Sequence, residues 1–321
     1  MTSKSTKAEL LCTASSLEEL SLLMDAGADA FIVGETAFAA RMAGEFGIEA
    51  IREAVTMAKP RGVRIYAAVN NLIDNATLPK LPEYIRSLEQ AGVDAVVFGD
   101  PAVLMAVRSD APGLGLHWNT EMTSTNYATA NYWGRRGATR VVPARELNLD
   151  QILAFKANCH IEVQVQVHGM TNIYHSKRSL VHSYLDHQQK SGMHTELLGG
   201  TGEAAGRDRG MYLIEAERPG ERYPIYEDAD GTHIMSADDI CMLEGLHELL
   251  EGGVDAVKIE GLLKPAAYNE AVVRAYRQAI DAYYADPAGY AFRDEWLEPI
   301  QALQDPHREL SFGFFYKEQV Y

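Results

Sequence analysis

The chain has 321 residues, 47% of them hydrophobic and 23% charged, enough for one large core and too many for a small module held by disulfides. Its 29 Lys and Arg face 45 Asp and Glu, a net charge of −16, which excludes a broadly basic nucleic-acid binder and leaves room only for a local basic patch. The three cysteines, Cys12, Cys159 and Cys241, supply neither a disulfide framework nor a CxxC zinc site, and no apolar run approaches the roughly 18 residues of a membrane span. The N-terminal stretch lacks the apolar core of a signal peptide, so a soluble, cytoplasmic protein is expected.

Short runs rich in Val, Ile and Ala alternate with stretches of helical periodicity, the pattern of repeated βα units. Strands are predicted at Glu9–Thr13, Ala30–Val33, Val63–Val69, Ala95–Phe98, Gly115–Trp118, Arg140–Pro143, Glu162–Val167 and Ala256–Ile259. Helices are predicted at Ser16–Asp25, Gly47–Lys59, Pro82–Gln90, Pro101–Arg108, Tyr127–Arg136, Leu149–Ala157 and Pro265–Tyr284. Ser16 and Glu19 stand at capping-box spacing. The phrases Ala26–Ala30, Ala91–Ala95 and Gly252–Ala256 each end a helix on Gly and launch an apolar run, which reads as one αβ loop used three times.

Eight strands with intervening helices give an α/β fold of the (β/α)8 TIM-barrel type; the Gly-rich turn that an open dinucleotide-binding sheet wants after its first strand is absent, since Thr13-Ala14-Ser15-Ser16 stands there. About ninety residues separate strands seven and eight where a plain unit needs about thirty. Within them Met211–Glu215, Tyr223–Glu227 and Thr232–Met235 alternate like a small antiparallel meander turning at Asp230-Gly231, after a Gly-rich loop over 191–210 and before a helix over Ala237–Glu251. The expected division is barrel units one to seven over 1–169, an insertion over 170–236, the last unit over 237–286 and a docked aromatic tail over 287–321.

Active sites of such barrels lie at the C-terminal ends of the strands, and the polar residues there are numerous. They are Glu35 and Arg41 after strand two, Asn70 and Asn71 after three, Asp100 after four, and His117, Asn119 and Glu121 at five. Arg145 and Glu146 follow six, His168, Ser176 and Arg178 follow seven, and Lys258 and Glu260 end eight. Strand alternation puts Lys258 and Glu260 on one face, as an internal ion pair or as a substrate-anchoring ammonium held by a carboxylate. The same alternation groups Glu162, Gln164, Gln166 and His168 as a polar stripe facing the barrel interior. His117 and His168 lack metal-ligand spacing, so no metal site is expected, and the HExxH, GxSxG and GxxxxGK motifs are absent. Residues 135–178 carry seven basic side chains against three acidic, a locally positive stretch that reads either as an anion site or as scattered solvated charges.

Several of these pieces follow a family pattern. Glu9-Leu10-Leu11, Gly27–Ala30, Phe38–Arg41, Tyr66–Asn70, Gly92–Ala95, Arg145-Glu146-Leu147, His168-Gly169, Ser176-Lys177-Arg178, Lys258–Gly261 and Tyr276-Arg277 occur in the order seen in the peptidase U32 family, which the chain resembles from about Glu9 to Asp281. Phe98–Ala102, His117–Glu121 and Asn131–Gly134 further resemble the shorter of two paralogous U32 proteins found side by side in Firmicutes. That resemblance implies a part in 5-hydroxylation of the tRNA wobble uridine with prephenate as oxygen source, beside a larger, cysteine-bearing paralogue. The alternatives are a collagenase-like peptidase, a hydrolase, and a non-catalytic scaffold.

Many U32 proteins hold a [4Fe-4S] cluster through four cysteines. Here Asn172 and Ser179 stand at the first two positions, the third has no cysteine, and only Cys241 matches, so the resemblance implies a chain without a cluster. Leu262 replaces the family's Arg after Lys-Ile-Glu-Gly. Carried over, the pattern assigns Arg41, Arg145, Arg178 and Lys258 to a dicarboxylate such as prephenate, with Asn70, His117 and Asn119 as further substrate contacts. Glu121, His168 and Glu260 are the expected proton-handling residues. The negative net charge places part of the tRNA contact on the partner.

Overall fold

The computed structural model describes residues 7–119, 124–190 and 210–318. Two compact units are built from them, the first from residues within 1–169, 241–304 and 312–321, the second from 170–240 and 305–311.

In chain order the first unit begins with β1 (Glu9–Thr13), α1 (Leu17–Ala26), β2 (Ala30–Val33), α2 (Ile48–Ala58), β3 (Arg64–Val69), α3 (Leu81–Ala91), β4 (Ala95–Phe98) and α4 (Pro101–Asp110). It continues through β5 (Gly115–Asn119), α5 (Tyr127–Gly134), β6 (Arg140–Val142), α6 (Leu149–Asn158) and β7 (Glu162–Gly169). The second unit supplies β8 (Asn172–Ser176), α7 (Leu180–Lys190), β9 (Tyr212–Leu213), β10 (Tyr223–Asp228) and β11 (Gly231–Met235); β12 (Asp239–Cys241) follows. The chain then forms α8 (Leu246–Glu251), β13 (Ala256–Ile259), α9 (Ala266–Ala285), α10 (Glu298–Leu303) and β14 (Leu310–Ser311). Strands β1 to β7 pair in parallel in sequence order, and β13 pairs with both β7 and β1, which closes an eight-stranded barrel.

The three-fold αβ phrase has a physical reason beyond its glycines. Gly27, Gly92 and Gly253 take positive φ (+108°, +85° and +75°), the left-handed turn that ends each helix. The following Asp29, Asp94 and Asp255 then each accept the backbone N–H of the neighbouring strand, from Leu10 (2.8 Å), Ile65 (2.8 Å) and Val163 (2.6 Å). Their own N–H groups donate back to the carbonyls of Leu10, Ile65 and Val163. One aspartate thus ties the start of its strand to the strand beside it, satisfying backbone groups that would otherwise be buried unpaired.

Alternation sends Leu11, Ala30, Ile32, Tyr66, Ala68, Ala95 and Val97 into the lumen, where Ala39 and Met42 of the β2–α2 loop join them as one buried apolar cluster. Below it the strand starts carry charge. Glu9, 4% exposed, accepts the Tyr66 hydroxyl (2.8 Å), Arg140 Nη1 (2.6 Å) and Arg64, while Arg140 also reaches Glu162 (2.7 Å). This paired layer floors the barrel, since buried charges persist only with partners.

The second unit has an antiparallel sheet in the order β8-β11-β10-β9, so the expected three-stranded meander gains Asn172–Ser176 as a fourth strand. The hairpin turn falls at Asp230-Gly231 as read from the sequence. Arg308 is buried there, its guanidinium on Asp239 (2.8 Å) and on the carbonyls of Ser236 and Asp238. The helix expected over Ala237–Glu251 is cut short: Asp239–Cys241 is extended and helix begins only at Leu246, after Gly245. The capping box is also altered, because Glu19 turns its carboxylate to the Ser15 N–H (2.6 Å) while its own N–H takes the Ser16 hydroxyl (3.2 Å). The Gly-rich stretch 191–209 lies outside the described residues.

Candidate functional site

Thr13, Arg41, Asn70, Asn119, Arg145, Lys258 and Glu260 sit at or just beyond the C-terminal ends of barrel strands, and so share one end of the first unit. Glu260 is the best-held of them. Its Oε1 accepts the Thr13 hydroxyl (2.9 Å) and the Leu262 N–H (3.1 Å), and its Oε2 accepts Lys258 Nζ (2.8 Å). A carboxylate with both oxygens engaged in this way is a fixed counter-charge. Lys258 keeps 18% of its side chain exposed against 10% for Glu260, so it is the more exposed member of the pair.

Arg41 is placed by its backbone. It is one of two non-glycine residues with positive φ (+58°) among those described, a conformation that costs about 1 kcal/mol. Asn70 holds the residue before it on both sides, accepting the Ala40 N–H (3.0 Å) and donating to the Ala40 carbonyl (3.5 Å). Asn70 therefore acts here as a clamp on the Arg41 loop. Arg145, half-buried after β6, lies 3.6 Å from Glu146.

His117 stands one layer deeper. Its ring meets Tyr66 edge-on (4.6 Å), and burial together with the Arg140 and Arg64 guanidiniums pulls its pKa well below the usual imidazole range. The His117 Nδ1 and Gln164 Oε1 atoms, both on the lumenal face, are buried without a hydrogen-bond partner among the described residues. Each such atom costs about 1–3 kcal/mol, which marks the polar β5–β7 side of the lumen as a place where a bound molecule gains.

One expected residue does not join this group. The stripe Glu162-Gln164-Gln166-His168 breaks at its last member: the β7–β13 register shifts so that Gln166 pairs with Lys258 but His168 with Ile259, on the opposite face. His168 is fully buried, its Nε2 on the Tyr268 hydroxyl (2.9 Å) and its ring against Tyr276, both of α9. Gly169 completes the kink with φ +95°, and a Cβ there would run into the Glu260 carbonyl. The His-Gly pair thus closes the barrel. Arg178 belongs to the second unit, and Glu121 lies outside the described residues. Thr13 and Tyr268 were not singled out from sequence. Only Thr13 carried a usable signal, its place at the end of the first strand.

The family's four-thiolate cluster does not fit this donor set. Asn172 spends its amide on the Tyr174 and Ile234 carbonyls, Ser179 offers a hydroxyl, and Cys241 is buried. Among the described residues no three His, Cys, Asp or Glu converge as metal ligands.

A family model described as "Peptidase family U32" matches residues 15–320. The "tRNA hydroxylation protein P2" of Bacillus subtilis (strain 168) is 46% identical over 316 residues, 98% of this chain and 99% of that one. The "tRNA hydroxylation protein P1" of the same organism is 30% identical over 98% of this chain and 74% of its own length. Among solved structures, "The Structure of the U32 Peptidase Mk0906" superposes with a TM-score of 0.50 at 16% identity, over 83% of this chain and 97% of that one, a likeness of fold. The chain belongs to peptidase family U32.

Proposed function

We propose that this chain is a cytoplasmic tRNA hydroxylation factor, acting in prephenate-dependent 5-hydroxylation of the wobble uridine with a larger, cysteine-bearing paralogue. The observation that carries the reading is the 46% identity, end to end, with a relative named for tRNA hydroxylation. The barrel mouth supports it chemically. Leu11, Ile32, Ala68 and Val97 with Met42 make one apolar wall, and Gln164, Gln166, Lys258 and Asn119 make the other, with Arg41 and Arg145 at the rim. A small ring carrying two carboxylates suits such a site, ring on the apolar wall and carboxylates on the cations. In this reading Lys258 binds the anion, Glu260 positions Lys258, Asn70 positions Arg41, and His117 meets the ligand as a neutral imidazole. Any iron–sulfur chemistry belongs to the paralogue, because this chain lacks the thiolates.

Among the described residues, the His168 that a peptidase reading would use as base is sealed beneath α9. The test is mass spectrometry of tRNA nucleosides from a strain lacking only this gene. Loss of 5-hydroxyuridine-derived bases, restored by the wild-type gene and not by Lys258→Ala, is expected. Unchanged modification, or cleavage of gelatin or casein by the purified chain, overturns the reading.

A further inference from the structure

The C-terminal end of α5 combines features that the barrel does not need. Trp118 of β5 stacks on Trp133 at 3.9 Å with 22° between planes, and helix-on-sheet packing accounts for that pair. Packing does not account for what lies outside it. Tyr132 meets Trp133 edge-on at 5.4 Å, is 41% exposed, and carries the Arg136 guanidinium 3.5 Å above its ring. Arg135, also exposed, stands beside it. The turn displaying both arginines is fixed by the Ala138 N–H on the Trp133 carbonyl and by Gly137 at φ +100°.

The charge around this group runs against the rest of the molecule. Of the four Arg in residues 122–145, Arg140 is buried against Glu9 and Glu162 and Arg145 lies beside Glu146, which leaves Arg135 and Arg136 as the surface cations of this turn in a chain of net charge −16. Favourable placement of cations at a helix C-terminus explains one arginine and is worth only about 0.3–1 kcal/mol; it does not call for an exposed tyrosine beneath a guanidinium. A planar cation stacked on a tyrosine, anchored through two tryptophans to a strand, is a rigid surface for a nucleobase, with a second arginine placed for the phosphate.

We infer that Tyr132, Arg135 and Arg136 form a contact surface for RNA, stacking one unpaired base and neutralising its backbone. The inference rests on the tRNA reading above and adds to it the face of this chain that touches the nucleic acid. This face contributes affinity and register; the base that is modified is handled elsewhere.

The test uses the full chain, alone and with the larger paralogue, against an unmodified transcript of a tRNA with a wobble uridine, followed by fluorescence anisotropy. Tyr132→Ala and Arg136→Ala are expected to weaken binding about 10-fold each, and Tyr132→Phe to bind as wild type, because stacking needs the ring and not the hydroxyl. Arg135→Ala should weaken binding and make it less sensitive to salt. Circular dichroism and thermal melting verify that each variant is folded. Wild-type affinity in the Ala variants, or no tRNA binding by wild type in either setting, overturns the inference. So does a loss traced by pull-down to failed association with the paralogue, which would make the face a protein contact. The deletion strain separates the two claims: if deletion abolishes the modification and Tyr132→Ala restores it with normal binding, only this surface is wrong.

Discussion

Arg41 holds a strained backbone, and in the proposed reading that strain serves to place its guanidinium. Arg41→Gly is expected to leave stability in urea denaturation unchanged or to raise it by up to about 1 kcal/mol, while prephenate affinity measured by calorimetry falls about 10-fold or more. The Lys258–Glu260 pair should respond unequally to its two deletions. Glu260→Gln strands a mostly buried ammonium and costs about 3 kcal/mol in urea denaturation, whereas Lys258→Met leaves Glu260 its Thr13 and Leu262 donors and costs less. His117 gives a pH dependence of determinate sign. Its folded pKa lies below the ordinary 6.5, so above that pH the ring is neutral in both states and contributes no slope. As pH falls below 6.5 the unfolded chain takes up a proton that the folded one refuses, and stability drops by at most about 1.4 kcal/mol per pH unit. Urea midpoints between pH 7 and 5 should therefore fall less steeply for His117→Gln than for wild type.

Among the elements, the end of β7 at Gly169 tolerates little change. Gly169→Ala combines a positive φ with a clash against the Glu260 backbone just after β13, so little soluble protein is expected, where the same change at the open Gly137 yields folded protein of lower melting temperature. That kink also explains what the sequence could and could not reveal. Each of the eight barrel strands was legible to within about two residues, because buried parallel strands are apolar runs bounded by a helix end and a glycine. His168 was misread because a period of two holds only while the ladder is regular, and a register shift is set by the neighbouring strand, Lys258 to Ile259, ninety residues away. Asn172–Ser176 escaped notice because its polar residues form a strand only when β11 is there to pair. The helix assigned to Ala237–Glu251 failed for a related reason: Asp239–Cys241 is three residues long, and its pairing with Leu310-Ser311 is long-range. Of the site, the strand-end residues and the Lys258–Glu260 pairing were readable from topology and alternation, whereas the Thr13 hydroxyl on Glu260 is a long-range contact that no local pattern shows.

For the molecule as a whole, charge limits what this chain does alone. With −16 overall and two arginines on the proposed RNA face, the plot of log affinity for tRNA against log salt should have a slope near about −2, and a steeper one in the presence of the paralogue. A slope of about −6 for the isolated chain would mean that some other basic surface carries the contact. The barrel also manages its long insertion by an economical device. Just before the chain departs at Gly169, the Val167 carbonyl accepts both the Met242 N–H of the returning strand (2.9 Å) and the Tyr276 hydroxyl (2.8 Å). The Met242 N–H in turn donates to that hydroxyl as well (3.0 Å). Exit and re-entry are thus pinned together by a single phenol, like a loop of rope drawn through a ring. Whatever evolves between those two points can be enlarged, trimmed or exchanged while the barrel keeps its stave spacing, so related proteins can diversify that appendage without redesigning the vessel to which it is tied.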